Sequence, residues 1–248
     1  VPGVDRRIRV RHLLCHNSGL PAHRDFHQHI HSAAELIAAA AAEPPERPPG
    51  TAVVYSDLGF ILLGGIVEVV SGRSLPRFAA AEVFAPLGMN ATYTPPESWL
   101  PRIAATELMA GRPVHGRVHD ENAAAAGGGV GHAGVFASLE DLERAIALWL
   151  PGETLLDEHL RAAALRDHTP ELDGHRGFGW TCRGDGYDIL SDGWGPAAVS
   201  HTGFTGTSMA LDPVTGRWAV VLTNAVHFGR GRPGVLAARR AFHAELAS

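Results

Sequence analysis

One stretch limits the fold more than any other. Leu58 to Ser71 has the length of a helix, and Leu58, Phe60, Ile61, Leu62, Leu63, Ile66, Val67, Val69 and Val70 leave it no clear polar face. A helix of that kind has to be covered on nearly all sides, which needs a sizeable core. With 248 residues the chain can bury roughly 70–75% of its unfolded surface, enough to provide one. The longest apolar stretch, Phe60 to Val70, is 11 residues and already carries Glu68, far from the roughly 20 needed to span a bilayer. No membrane-spanning helix is expected.

The segments around this helix read as a helical region followed by a sheet. Arg9 to Cys15 starts a short apolar helix that Asn17-Ser18-Gly19-Leu20-Pro21 breaks. Ser32 and Glu35 form a capping box ahead of Ala33 to Ala42, which ends at the proline-rich run Pro44 to Gly50. Thr51 to Val54 reads as extended, and Asp57 is placed to cap the apolar helix. Further helices are expected from Ser74 to about Phe84 and from Ser138 to about Leu150. Beyond about residue 175 the period changes to alternation, with strands expected at 177–182, 197–202, 207–211 and 217–223. Asp212 to Gly216 is a hairpin turn, and a helix of about Pro233 to Leu246 closes the chain. This order predicts an α+β fold, an antiparallel sheet covered by helices. It is read as a single domain over 1–248, mainly helical over about 8–170 and with the sheet and last helix over about 175–248.

A net charge of −5 without a basic block excludes the electrostatic footprint of a nucleic-acid binder. All 21 cationic side chains are arginine, so no mechanism can draw a catalytic lysine from these residues. Cys15 and Cys182 match no redox or zinc spacing and are expected to be free thiols, which leaves the compartment open. Gly129 to Gly134 spells G-x-G-x-x-G, but no strand precedes it, so a tight loop is expected in place of a dinucleotide site. Gly206-Thr207-Ser208-Met209-Ala210 falls short of a nucleophile elbow. His23, His27, His29 and His31 crowd one stretch with Asp25 as the only carboxylate, which reads as a solvated loop; a metal-dependent hydrolase built on it is the weakest alternative.

Three segments, in order, resemble one family, the penicillin-recognising serine hydrolases, which include class C β-lactamases, DD-peptidases and related esterases. Ile8 to Pro21 is similar to its V-R-H-L-L-T-H-T-S-G-L segment. Tyr55-Ser56-Asp57, placed before the apolar helix, looks like its Tyr-Ser-Asn element. Ser200 to Ser208, with His201-Thr202-Gly203, resembles its K-T-G strand with His in place of Lys. Val118 to Ala123 and Gly128 to Gly134 are similar to the branch of penicillin-binding-protein-like esterases. The resemblance covers nearly the whole chain and implies a β-lactamase/transpeptidase-like fold, incomplete at the N-terminus, with no metal or organic cofactor. It also implies a small ester, amide or peptidoglycan-like substrate.

The residues themselves agree in part with acyl transfer. Tyr55 and Asp57 are i and i+2 in extended chain, so both point to one side. A phenol acts as a base only beside a cation that lowers its pKa, and the family's cation is a lysine. His201 and Gly203 share one strand face, Thr202 lies between them, and the Phe204 N–H would be one oxyanion donor. His119 and His132 are expected at the border of the pocket. Tyr55, Asp57 and His201 are thus the catalytic candidates, expected to serve one reaction centre. The family's Ser-x-x-Lys helix lies upstream of its V-R-H-L-L segment, and without lysine no serine here completes that pair. The polypeptide as given is therefore expected to be inactive alone and to fold poorly without the covering helix. Asp57 cannot donate as the family's Asn does, and His201 is expected to titrate near neutral pH where the family has a fixed cation. The alternative is a catalytically inactive pseudoenzyme or ligand-binding module of the same fold.

Overall fold

Serine side chains start the two longest helices of the N-terminal half. The computed structural model describes residues 3–152, 155–231 and 234–247. They fall into two units, one built from the chain up to Ile103 with His115–Ser138, the other from Ala104–Val114 with the chain from Leu139 onward. The first unit contains α1 (Val10–Leu14), α2 (Ala33–Ala42), α3 (Asp57–Ser71), α4 (Leu75–Ala79) running into a π turn (Ala80–Phe84), and α5 (Glu121–Ala125). Ser32 Oγ accepts the Glu35 N–H at 3.2 Å, as the capping box predicts, while the Glu35 carboxylate accepts the His31 N–H at 2.7 Å, one residue outside the expected reciprocal bond. α3 is capped by Ser56, whose Oγ accepts the Gly59 N–H at 3.3 Å and donates to the Pro21 carbonyl at 2.6 Å. Asp57 is therefore the first helical residue and not the cap, a place where its negative charge favours the helix dipole.

The core of this unit gathers Leu13, Leu20, Phe26, Ile30, Leu36, Leu58, Ile61, Leu62 and Val130 around α3. Coverage of that helix is less complete than its composition predicts, because Val69 and Val70 at its C-terminal end are 73% and 81% exposed. On another side α3 meets the glycine-rich segment backbone to backbone. A Cβ at Gly131 would overlap the Phe60 carbonyl oxygen, and one at Gly64 would sit 3.0 Å from the Gly131 nitrogen. The glycines of G-x-G-x-x-G thus permit close packing on a helix.

The second unit opens with a two-stranded hairpin, β1 (Leu108–Met109) and β2 (Arg112–Pro113), turned by Ala110 and Gly111 at φ of 49° and 75°. Two helices follow, α6 (Leu139–Ala147) and α7 (Glu158–Leu165); Asp157 Oδ1 caps the latter, accepting the N–H groups of His159 and Leu160. β3 (Thr181–Cys182), β4 (Val199–Thr202), β5 (Ser208–Leu211) and β6 (Trp218–Val221) form an antiparallel meander in that spatial order, and α8 (Val235–Glu245) follows. The start expected for the last helix, at Pro233, lies outside the described residues. The strands are shorter than the alternation predicts. Before β3, the Gly177 N–H turns back to the Trp180 carbonyl at 2.9 Å, so that part of the run forms a turn. The expected hairpin is present: Asp212 Oδ1 accepts the Val214 and Thr215 N–H groups, and the Asp212 N–H reaches the Arg217 carbonyl.

One face of this sheet buries Cys182, Val199 and Leu211 with Ile146 and Trp180; Ala210 and Ala219 pack with Trp194 and Ala198. α6 and α7 thus belong with the sheet, whereas the sequence grouped residues up to about 170 with the helices. α8 is tied down by His243, which is fully buried: its Nε2 lies 3.0 Å from Ser208 Oγ, and its carbonyl accepts the Trp194 indole N–H at 2.7 Å.

Burial, with the Arg239 cation in range, pushes His243 down to about 4. An unfolded histidine titrates near 6.5, so the unfolded chain takes up the proton first as the pH falls. The stability contribution of neutral His243 is complete above 6.5 and is lost progressively down through 4. Between pH 7 and pH 5 this removes about 2 kcal/mol. Urea midpoints at the two pH values should show this loss, and His243→Gln should flatten it; an unchanged pH dependence in that variant would contradict the assignment.

Candidate active site

In the first unit the segment after α1 turns sharply. His16 takes a left-handed conformation (φ 54°), its carbonyl accepts the Val54 N–H at 2.8 Å, and its Nδ1 accepts the Ser56 N–H at 3.0 Å. A ring nitrogen that accepts carries no proton, so the imidazole holds its hydrogen on Nε2. The same ring lies 4.4 Å from that of Tyr55 and stacks on Phe60 at 4.9 Å. Tyr55, itself 39% exposed, is thus seated against a buried histidine at the entrance to α3.

Asp57 finds a partner that sequence reading did not assign. His23 Nδ1 lies 3.1 Å from Asp57 Oδ2, and His23 Nε2 lies 3.4 Å from Asp25 Oδ1. The Asp57 N–H also donates to the Ala22 carbonyl at 2.9 Å, which pins the His23 segment to the head of α3. Asn122 on α5 grips the same segment, accepting the His27 N–H and donating to the Arg24 carbonyl, both at 2.8 Å. Asp120 caps α5 through the Ala123 N–H and is 2.9 Å from Nε2 of the buried His132 ring.

These contacts set the electrostatics. Partial burial pulls the His23 pKa down, but hydrogen bonding to Asp57, the charges of Asp57 and Asp120, and Asp25 outweigh it, so the net direction is upward. Burial pushes Asp120 up, yet His132, the Ala123 N–H and His23 hold it below the usual carboxylate range. The head of α3 therefore pairs carboxylates with imidazole. Asp57→Asn should lower the His23 pKa, read from the pH titration of its ring carbon–proton NMR signal; an unmoved titration would show that the pair does not form in solution.

In the second unit His201 and Thr202 end β4, with His201 opposite Met209 and Thr202 opposite Ser208. Burial, with the Arg176 cation in range and against a Thr202 backbone hydrogen bond, pushes His201 down to about 4. The sequence predicts titration near neutrality; the structure makes this a neutral imidazole at pH 7, able to hydrogen-bond but not to act as a fixed cation. Gly203 donates its N–H to the Thr207 carbonyl at 2.8 Å, and a Cβ there would overlap the Thr207 hydroxyl. Its lack of a side chain is thus already required by the turn. Phe204 is exposed, with the Arg230 guanidinium 5.6 Å from its ring centre.

The structure places Tyr55 and Asp57 together at the head of α3 and links His132 to that region through Asp120 and His23. His119, beside Asp120, is half-buried. His201, Thr202, Gly203 and Phe204 run consecutively from the end of β4 into the β4–β5 turn of the second unit. Sequence reasoning missed His16, His23 and Asp120. The signal for His23 was the crowding of histidines at residues 23 to 31, which was assigned to a solvated loop; His16 and Asp120 lie within the family-like segments Ile8 to Pro21 and Val118 to Ala123. Among the described residues no group of three His, Cys, Asp or Glu side chains is arranged to hold a metal ion, and both cysteines are buried and outside any disulfide. No single helix among them is long and apolar enough to cross a membrane.

A Tyr-Ser-Asp element heading an apolar helix and a His-Thr-Gly strand in an antiparallel sheet are elements of a β-lactamase/transpeptidase-like α+β fold. The chain belongs to the Beta-lactamase family, whose model matches residues 2–243. A Salmonella enteritidis PT4 protein provisionally named a D-alanyl-D-alanine carboxypeptidase is 30% identical over 95% of this chain and 61% of its own length. An Escherichia coli O157:H7 protein of the same provisional name is 31% identical, over 89% and 57%. The chain thus spans about three fifths of the curated relatives it matches. Among solved structures, a penicillin-binding protein from Bacillus halodurans has a TM-score of 0.69 at 24% identity, covering 96% of this chain and 73% of that one. EstCE1, a hydrolase with promiscuous acyltransferase activity, has a TM-score of 0.72 at 21% identity over 95% and 71%. Both share the fold.

Proposed function

We propose that the protein is an acyl-transferring serine hydrolase acting on a small ester, amide or peptidoglycan-like substrate. The observation that carries this reading is the head of α3, where Tyr55 packs on His16 beside an Asp57 carboxylate held by His23. In this reading a serine oxygen forms a bond to the substrate acyl carbon while its hydroxyl proton passes to Tyr55, Tyr55 delivers that proton to the leaving group as the acyl bond breaks, and water then releases the acyl group. Asp57 and His23 fix the charge beside that phenol. His201, Thr202, Gly203 and Phe204 bind the substrate, with the Phe204 N–H as an oxyanion donor. A neutral His201 attracts a substrate carboxylate weakly, which favours ester substrates. The family match runs across both units, which supports reading the 248 residues as one β-lactamase-related domain.

With no lysine, these 248 residues contain no Ser-x-x-Lys pair, and we infer that by themselves they are inert. A protein carrying its natural upstream sequence should react with a fluorophosphonate or a labelled penicillin and should hydrolyse p-nitrophenyl esters. The 248 residues alone should do neither. Absence of both reactions in the longer protein would defeat the proposal. Asp57 in place of Asn and His201 in place of Lys favour a second reading, a ligand-binding pseudoenzyme. Tight binding of such ligands with no covalent adduct would select it.

A further inference from the structure

The turn between β4 and β5 is held by a side chain from the last helix. Arg239, on α8, donates from Nη2 to the Gly203 carbonyl at 2.6 Å and to the Thr207 carbonyl at 2.8 Å, and from Nε to the Gly206 carbonyl at 2.9 Å. Three carbonyl dipoles converge on one point, which is unfavourable unless a cation occupies it. A guanidinium suits this task because its donors lie in a fixed planar fork, whereas an ammonium is a point charge on a flexible stem. The Gly203 carbonyl also accepts the Gly206 N–H at 3.1 Å, so the turn and the arginine fix the same oxygen.

That oxygen belongs to the peptide unit whose nitrogen is Phe204. In a planar trans peptide the C=O and N–H point in opposite directions, so fixing one aims the other. A charge-assisted bond to the carbonyl also polarises the unit and makes its N–H a stronger donor. We infer that Arg239 is a positioning residue that aims and strengthens the Phe204 N–H from behind, without itself touching substrate. This inference rests on the proposed function for the role of that N–H; the geometry of the turn stands without it.

The test uses the protein with its natural upstream sequence, the variants Arg239→Gln and Arg239→Lys, and Arg240→Ala as a control from the same helix. Arg240 bonds only weakly to the Asp188 carbonyl, at 3.3 Å. In ¹⁵N-Phe-labelled protein, with the Phe204 amide identified by its loss in Phe204→Leu, Arg239→Gln should move that signal upfield. The Trp194 indole signal, which reports docking of α8 through the His243 carbonyl, should stay in place. For p-nitrophenyl butyrate kcat should fall about 10- to 100-fold, the range below complete loss of an oxyanion donor, with KM within about twofold. Arg239→Lys should lie between the wild type and Arg239→Gln, and Arg240→Ala should match the wild type. If Arg239→Gln does not fold, judged by the indole signal, the lysine variant decides by the same two readouts.

An unmoved Phe204 amide in a folded variant overturns the inference, and so does a moved amide with kcat intact. A wild type without turnover defeats the hydrolase reading alone, and the amide shift then still decides whether Arg239 holds the turn.

Discussion

Asp185→Ala is expected to destabilise the second unit by about 3–5 kcal/mol, enough to lower its melting temperature by roughly 10 °C or more. The Arg176 and Asp185 side chains are only 3% and 2% exposed and meet at 2.9 Å. Asp185 also accepts the His175 N–H at 2.8 Å and the Tyr187 N–H at 2.7 Å, while Arg176 donates to Thr181 Oγ1 at 2.9 Å and lies 5.2 Å from the Tyr187 ring centre. Removing the carboxylate therefore strands a buried cation and two backbone donors. The pair need not be strongly stabilising for this to hold, because the loss comes mainly from the charge left behind. Replacing both partners, as Arg176→Met with Asp185→Leu, should cost much less than Asp185→Ala. Calorimetry of the two variants checks this, and a loss below about 1 kcal/mol for Asp185→Ala would refute it. Since the Arg176 cation helps depress His201, Arg176→Met should also raise the pH at which that imidazole titrates.

Tyr55→Phe should lower kcat of the complete protein about 10²- to 10⁴-fold, the range for removing a positioned acid–base group. Stability should change by no more than about 0.5 kcal/mol, because the ring that packs on His16 is retained and the residue is partly exposed. His16→Ala should behave differently. It removes the acceptor of the Ser56 N–H and a ring stacked on Phe60, and so should reduce stability together with activity. Steady-state kinetics on a p-nitrophenyl ester, paired with urea unfolding, separate the two. Full turnover in Tyr55→Phe would remove the phenol from the mechanism.

Local signals in the sequence placed α2 and the turn at Asp212, where one or two side chains decide the outcome. α2 runs over the expected residues because Ser32 starts it and Pro44-Pro45 stops it. The turn at Asp212 forms because one carboxylate satisfies two successive N–H groups. Asp57 was misplaced by one position because Ser56 and Asp57 can both cap, and only the extended backbone at Ser56 distinguishes them. The strands came out short because alternation persists into residues whose N–H groups turn back on the chain.

The candidate site divides in the same way. Tyr55-Ser56-Asp57 and His201-Thr202-Gly203 are contiguous and were legible as motifs. His23 is 34 positions from Asp57, and Asp120 reaches His132 across 12, so no local pattern announces either pair. Arg239 is likewise 36 residues from the carbonyl it holds. The neutral character of His201 was hidden for a related reason: it depends on burial and on Arg176, which the strand motif does not contain.

Where Gly131 rests on the backbone of α3, two main chains touch with no rotatable bond between them. A seam of that kind cannot absorb a displacement by switching rotamers, so a tilt of α3 passes directly into the neighbouring loop. His132 is the next residue in that loop. Its backbone is thereby coupled to the helix that Tyr55 precedes, while its imidazole is held by Asp120.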